Sequence, residues 1–246
     1  QNTALNTTDK AYDKATKTFT FKASATQENT ADVVKKNGGL KGVNFGVWKD
    51  TTVDANFWKK GVEANTTDAD KKATIDAALA EAKVEDTTAT KRTTAAKGEY
   101  PGTLKVTFKD GSVYEVTPAQ GQTAADTNIA QTLYVYEKGE EKPDDPNQPV
   151  PDKTIYVAFD RDQTSIKADN FATNAKPLMY AEGDTVPAAK FPDAQAADGY
   201  KQATVSWTPA QNTALNTTDK AYDKATKTIT FKASATQENT SDLVKK

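Results

Sequence analysis

The most regular hydrophobic pattern in the chain lies between positions 104 and 116. Apolar side chains alternate with polar ones on either side of an Asp110-Gly111 pair: Leu104, Val106, Phe108, Val113 and Val116, with Tyr114 between the last two. Alternation with a period of two predicts a strand, and Asp-Gly favours a tight turn. We therefore predict a β-hairpin here, followed by a closing strand over 132–137.

Three further stretches have strand-like patterns. They are "TIYVAFD" at 154–160, "ATVSW" at 203–207 with Val205 and Trp207 on one face, and 226–235 with Ile229, Phe231 and Ala233 on one face. Turn signals occur at Gly183-Asp184 and Asp198-Gly199. The polar stretch before the last strand is expected to be anchored by Leu215 and Tyr222.

One segment has helical rather than strand periodicity. Ile75, Ala78, Leu79 and Ala82 recur at intervals of three and four residues. This spacing predicts an amphipathic helix over about 68–84. Thr67, followed three residues later by Asp70, is the predicted N-cap.

The chain contains a long duplication. Residues 1–36 and 211–246 differ only at Phe19/Ile229, Ala31/Ser241 and Val33/Leu243. Such a repeat predicts a segment of a tandem array with a period of 210 residues. Residues 1–36 are then the C-terminal half of a preceding module, and strand 17–25 lacks its partners. That strand is expected to stay extended, to pair with the next module or to pair with a neighbouring molecule. The other interpretation makes 1–36 the start of the next module.

Four prolines among charged residues mark a predicted linker at 137–152. This density of proline favours extended, semi-stiff geometry. The alternative is a long functional loop inside one domain. The linker separates a predicted module A at 37–136 from a predicted module B at 153–240, whose last part lies in the 211–246 duplicate.

Both modules resemble repeats of Gram-positive cell-wall surface proteins. Module A, through "KGEYPGTLKVTFKDGSVYEVTP" and "TLYVYE", resembles Rib and long-Rib domains. Module B, through "YAEGDTV", "ADGYKQATVSW" and "TKTITFKA", resembles β-grasp-like repeats of the internalin B-repeat, mucin-binding-protein and streptococcal high-identity types. The resemblance implies an elongated, mainly β or α+β chain: an Ig-like Rib-type module with an inserted helix, then a β-grasp-like module.

Composition excludes much chemistry. The chain has no Cys and no His, so Ser-His-Asp triads, Cys nucleophiles and Cys/His zinc sites are impossible. Its net charge of −2 and only two Arg disfavour nucleic-acid binding. No apolar run is long enough to span a membrane, and no signal peptide is recognisable.

No candidate site stands out from the sequence. The acidic pairs Asp68/Asp70, Asp144/Asp145 and Asp160/Asp162 do not match a calcium loop and are expected to be solvated turn residues. The aromatic residues Trp48, Trp58, Tyr134 and Tyr136 are expected in the core rather than stacked on sugar. We predict no catalytic, metal or cofactor residue, no cofactor and no Lys–Asn amide cross-link.

The predicted function is that of a monomeric, non-catalytic stalk segment. It would project a terminal adhesive domain from the cell wall, outside the cell and anchored through the parent protein. The parent would contact a host receptor or glycan. The alternative is an adhesin module that itself binds host glycan or protein, and an enzyme is the third class considered.

Overall fold

The computed structural model describes residues 5–8, 10–22, 27–116, 127–161, 164–167, 171 and 175–236. Within these residues the fold is mainly β, with two α-helices, α1 (Thr30–Lys36) and α2 (Ala69–Glu81). The strands are β1 (Tyr12–Asp13), β2 (Thr18–Phe19), β3 (Leu40–Gly42), β4 (Phe45–Trp48), β5 (Val62–Ala64), β6 (Lys83–Asp86), β7 (Gly98–Thr107), β8 (Val113–Tyr114), β9 (Ile129–Tyr136), β10 (Thr154–Arg161), β11 (Leu178–Ala181), β12 (Thr204–Thr208), β13 (Tyr222–Asp223) and β14 (Thr228–Thr236). Short 3₁₀ helices occupy Phe57–Gly61 and Ala188–Lys190. None of the described helices is long and apolar enough to cross a bilayer.

The first five-stranded sheet has the order β4-β9-β7-β6, with β8 also paired to β7. Strand β4 runs parallel to β9, whereas β7 is antiparallel to β6, β8 and β9. Its core side includes Leu104, Val106 and Leu133, all fully buried. The predicted hairpin is confirmed, since Gly111 at its turn has φ of 82° and Phe108 N donates to Ser112 O at 2.8 Å. The predicted closing strand is confirmed as β9.

The return strand of the hairpin differs from the pattern in one respect. Tyr114, which the alternation left between the two valines, is buried opposite Val106. Its hydroxyl accepts a hydrogen bond from Leu40 N at 2.9 Å. The residue is therefore held in the core by a partner 74 positions away, which local alternation cannot reveal.

Helix α2 is shorter than predicted and begins with a different cap. The Asp68 carboxylate, not Thr67, accepts from the backbone N of Asp70 and Lys71, both at 3.1 Å. Ile75 is fully buried against the first sheet's core, with Ala78 and Leu79 half-buried beside it. The last predicted residues instead enter β6, because Val84 pairs with Val106.

Helix α1 lies in the predicted preceding module yet packs on residues of module A. Ala31 and Val34 are buried in the same hydrophobic cluster as Leu40 and Ile75. The hairpin tip caps this helix: Thr30 N donates to Asp110 Oδ2 at 2.7 Å, and Ala31 N donates to Ser112 Oγ at 3.1 Å. Backbone N–H groups of α1 are thus held by side chains of the hairpin that lie about 80 residues away in sequence.

This contact gives a pH prediction. Hydrogen bonds from the Ser112 side chain and then from Thr30 N hold the pKa of Asp110 well below its usual range. A carboxylate with a depressed folded pKa stabilises the fold above its unfolded pKa, and the contribution is lost as pH falls through the folded value. The contribution therefore begins to decline below about pH 4, whereas the folded Asp110 carboxylate is protonated only at a much lower pH. We expect the Thr30 amide resonance to stay unchanged near pH 4 and to shift only in stronger acid, where α1 loses this anchor. Asp110→Asn, which does not titrate, should abolish the shift; an unchanged titration in that variant would contradict the assignment.

The second five-stranded sheet has the order β11-β10-β14-β12, with β13 also paired to β14. Strands β10 and β14 are parallel, and each has an antiparallel neighbour on its other side. Ile229, Phe231 and Ala233 are buried as the alternation predicts, and Leu215 anchors the preceding stretch at 2% exposure. Val205 and Trp207 share one face, and both pack against a small cluster formed by Ile166, Phe171 and Ala233.

Candidate functional site

The predicted linker contacts both five-stranded sheets. Met179 N donates to Glu140 O at 2.7 Å, and Gly139 N donates to Met179 O at 2.7 Å. Glu141 also forms a bridge with Leu178. This part of the linker therefore adds a short antiparallel pairing to the edge of the second sheet, at β11.

The other end of the linker lies on the first sheet. Pro151 forms a parallel bridge with Gly46 of β4. Tyr136 Oη donates to Pro149 O at 3.0 Å and accepts from Gln148 Nε2 at 2.8 Å. Edge strands carry unpaired backbone groups, and the linker satisfies some of them on β4 and β11 alike.

A small apolar cluster lies between the two sheets. We call it the junction cluster, and its members are Trp48, Tyr134, Tyr136, Val150, Tyr156 and Met179. Met179, the one methionine in the sequence, is fully buried there. Burial raises the pKa of the Tyr136 and Tyr156 hydroxyls, consistent with packing away from water.

Ion pairs surround the junction cluster. Lys49 Nζ lies 2.7 Å from Glu137 Oε1, Lys138 Nζ lies 2.6 Å from Asp184 Oδ1, and Lys97 Nζ lies 3.3 Å from Glu140 Oε2. These side chains are partly exposed, so each pair contributes little to stability. Their positions nevertheless connect residues of the linker to residues of both sheets.

Gly46 lies where the linker backbone passes close to β4. A Cβ built on Gly46 would lie 2.7 Å from Pro149 O and 2.7 Å from the carbonyl carbon of Val150. We expect Gly46→Ala to destabilise the fold by about 1–3 kcal/mol through overpacking and to speed amide exchange over 148–153. Val53→Ala, at a 45% exposed position away from the linker, is the control. Unchanged exchange over 148–153 in Gly46→Ala would show that the linker does not rest on β4.

A buried ion pair holds the loop 87–97 on the first sheet. Arg92 Nε and Nη2 donate to the two oxygens of the Asp86 carboxylate at 3.1 and 3.0 Å, with side-chain exposures of 2% and 7%. The guanidinium carbon lies 4.4 Å from the centre of a Trp58 ring. Burial alone would raise the pKa of Asp86, but hydrogen bonds from Arg92 and Thr88 outweigh it, and the pKa lies below its ordinary value.

A groove of about 730 Å³ runs beside this ion pair. We call it the Arg92 groove, and its lining includes Val53, Asp54, Trp58, Lys83, Glu85 and Lys91. It has an apolar wall and a rim of both charges, and its volume is in the range of small-ligand sites. The Trp58 ring is 8% exposed and already covered by Arg92, so little of its face is open to a ligand.

The residues singled out from the sequence are distributed over the fold rather than brought to one site. Trp58 and Tyr136 are buried and Trp48 and Tyr134 are half-buried, as expected for core residues. Asp68 caps α2, Asp144 pairs with Lys176, and Asp145 Oδ1 accepts from Asn147 N at 2.8 Å. Asp162 lies outside the described residues. No cluster of three acidic side chains suitable for a metal ion occurs in the described ranges.

Sequence reasoning missed the Arg92–Asp86 pair and the junction cluster. One signal for the first was available, because Arg92 is one of two arginines in a chain whose other basic residues are lysines. Arginine is preferred where a buried carboxylate must be held by two hydrogen bonds. Three members of the junction cluster, Trp48, Tyr134 and Tyr136, were expected in the core. The sequence carried no signal that they pack with residues of the linker and of the second sheet.

The two copies of the repeated segment have the same local structure. In each, a short antiparallel pairing joins equivalent residues, Tyr12 to Phe19 and Tyr222 to Ile229. The Asp13 carboxylate accepts from Ala15 N at 2.8 Å and from Thr16 Oγ1 at 2.8 Å, and Asp223 accepts from Ala225 and Thr226 at 2.9 Å each. Lys17 and Lys227 have φ of 54° and 55°.

The chain has no match among family models, curated proteins or solved structures.

Proposed function

We propose that the chain is a non-catalytic structural segment of a bacterial cell-surface repeat protein, a stalk that holds an adhesive domain away from the cell wall. In this proposal the unit consists of a Rib-like module A and a β-grasp-like module B, outside the cell and anchored through the parent protein. The parallel pair β10–β14, with an antiparallel strand on each side, supports the β-grasp-like assignment.

The junction between the sheets is the observation that carries the proposal. A stalk must transmit orientation from one unit to the next, and units joined by a free linker would reorient independently. Here the linker is hydrogen-bonded to β11 and bridged to β4, with Tyr136, Tyr156 and Met179 buried between. These contacts favour a fixed angle between the sheets.

The repeat supports the same proposal. In an array in which each unit touches only its neighbours, length rises with copy number and chemistry is not required of each unit. A near-identical segment that recurs after 210 residues, with the same hairpin geometry, fits such an array.

Small-angle X-ray scattering tests the proposal on chains with one, two and three 210-residue periods. We expect the maximum dimension to rise by a constant step while the cross-section stays fixed. Growth near the N^0.38 radius scaling of a globule would overturn it. Gly46→Ala in the three-period chain is the matched variant, and it should shorten the mean dimension if the junction sets the angle.

A ligand-binding adhesin module is the second candidate, and the Arg92 groove favours it. Val53 is 45% exposed at the groove edge, where an apolar ligand face could pack. A screen against host glycans and proteins would support this candidate only if Val53→Asp abolished the binding detected and Val53→Ala weakened it less.

A further inference from the structure

The two copies of the repeated segment differ in burial although they agree in local structure. Leu5 is 65% exposed, whereas its counterpart Leu215 is 2% exposed. Phe21 is 73% exposed, whereas Phe231 is 1% exposed. Identical residues with the same hairpin thus present an apolar face in one copy and bury it in the other.

Outside the repeat itself, the residues named here that bury the second copy come from one stretch of chain, 153–210. Strand β14 lies parallel to β10, with Phe231 opposite Phe159 and Ile229 opposite Val157, and antiparallel to β12, with Ala233 opposite Trp207. The Phe231 ring lies 5.1 Å from Phe191 and 6.1 Å from Phe159.

Leu215 is held by the same stretch. Leu215 N donates to Asp184 O at 2.8 Å, and Gly183 N donates to Leu215 O at 2.7 Å. Apart from the Tyr222–Ile229 pairing, which both copies of the hairpin share, the contacts named for Leu215, Ile229 and Phe231 are made to residues 153–210.

We propose that residues 5–8 and 10–22 are a docking segment whose partner is a second copy of residues 153–210. Phe21 occupies the site that Phe231 fills in the complete sheet, and Leu5 occupies the Leu215 site. Residues 18–22 pair in parallel with the β10 copy, extending a sheet edge with a strand from outside. This proposal rests on the proposed tandem array and names the contact between successive periods.

Three observations favour this partner over others. The docking segment differs from its buried counterpart at one position, Phe19 for Ile229, and both side chains are apolar. The β1–β2 hairpin is already formed, so less conformational freedom is lost on docking. Lys22 is exposed in the free segment and Lys232 is exposed in the complete sheet, so docking buries no charge there.

The test compares the 246-residue chain with an extended chain in which a copy of residues 143–210 precedes Gln1. Amide exchange is followed by mass spectrometry on peptides over 10–22, which differ in mass from those over 220–232 because of Phe19 and Ile229. We expect exchange over 19–22 to slow by about tenfold or more in the extended chain, since docked strand amides exchange only on opening.

Phe21→Ala should restore fast exchange over 19–22 in the extended chain and change nothing in the 246-residue chain. Lys22→Ala is the matched control and should leave the protection intact. Equal exchange in the two chains would overturn the proposal. Protection of 19–22 already present in the 246-residue chain, with a dimer in light scattering, would also overturn it in favour of pairing between two identical faces.

The outcome is separable from that of the stalk proposal. Slowed exchange over 19–22 with compact growth in scattering would leave the docking contact standing and remove the stalk. Constant steps in length with unchanged exchange would do the reverse.

Discussion

Phe231→Ala is expected to lower the free energy of unfolding by about 3–5 kcal/mol, the usual cost of removing a buried phenylalanine ring. The ring is 1% exposed and packs against the rings of Phe159 and Phe191, so its removal leaves a cavity on the core face of the second sheet. Denaturant unfolding followed by fluorescence of Trp207, which lies 5.1 Å from Phe191, measures the loss locally.

The duplicate supplies the control for this variant. Phe21→Ala changes the same residue in the same local sequence, but the ring is 73% exposed. We expect it to change the free energy of unfolding by less than about 0.5 kcal/mol. Equal losses of unfolding free energy in the two variants would contradict this view. They would mean that the local hairpin structure, and not burial by residues 153–210, determines how much this phenylalanine stabilises the fold.

Arg92→Met is expected to lower the free energy of unfolding by about 3–5 kcal/mol, because it leaves the Asp86 carboxylate buried without its partner. The variant also removes the cation from the face of Trp58. Chemical denaturation at neutral pH measures the loss, and Trp58 emission is expected to shift as loop 87–97 detaches.

The pH dependence of the loss identifies its cause. The wild-type pKa of Asp86 lies below its ordinary value, so the pair stabilises the fold above about pH 4 and loses that contribution as pH falls through the folded pKa. The difference between wild type and Arg92→Met should therefore shrink in acid.

A surface ion pair gives the matched comparison for Arg92→Met. Lys41 Nζ lies 2.9 Å from Glu63 Oε1, but both side chains are about half exposed. Lys41→Met should cost less than about 1 kcal/mol. A loss in Arg92→Met as small as that in Lys41→Met would contradict the view that the buried pair holds the loop.

Part of the fold follows directly from sequence pattern. The hairpin around Asp110-Gly111 and strands β9, β10, β12 and β14 lie where alternation predicts them, and α2 lies where the helical spacing predicts it. The predicted N-cap of α2 was wrong by one residue. Thr67 and Asp68 are both favourable N-cap residues, and only the backbone geometry distinguishes them.

The parallel strand pairings could not be predicted from the alternation of apolar and polar residues. Strands β4 and β9 are joined in parallel, and so are β10 and β14, with the partners far apart along the chain. A strand's alternation states which face is apolar but not which strand lies beside it. The docking of the predicted linker on β4 and β11 escaped prediction for the same reason, since its prolines are typical of a solvated spacer.

The duplicated segment distinguishes the features that local sequence determines from those that depend on tertiary contacts. The sequence by itself determined the hairpin, because hydrogen bonds from Asp13 or Asp223 reach only two or three residues along the chain and so form in both copies. Only the tertiary structure decided that Leu215 and Phe231 are buried while Leu5 and Phe21 are exposed. Removal of apolar surface from water requires partner side chains, and those partners, from 153–210, contact one copy and not the other.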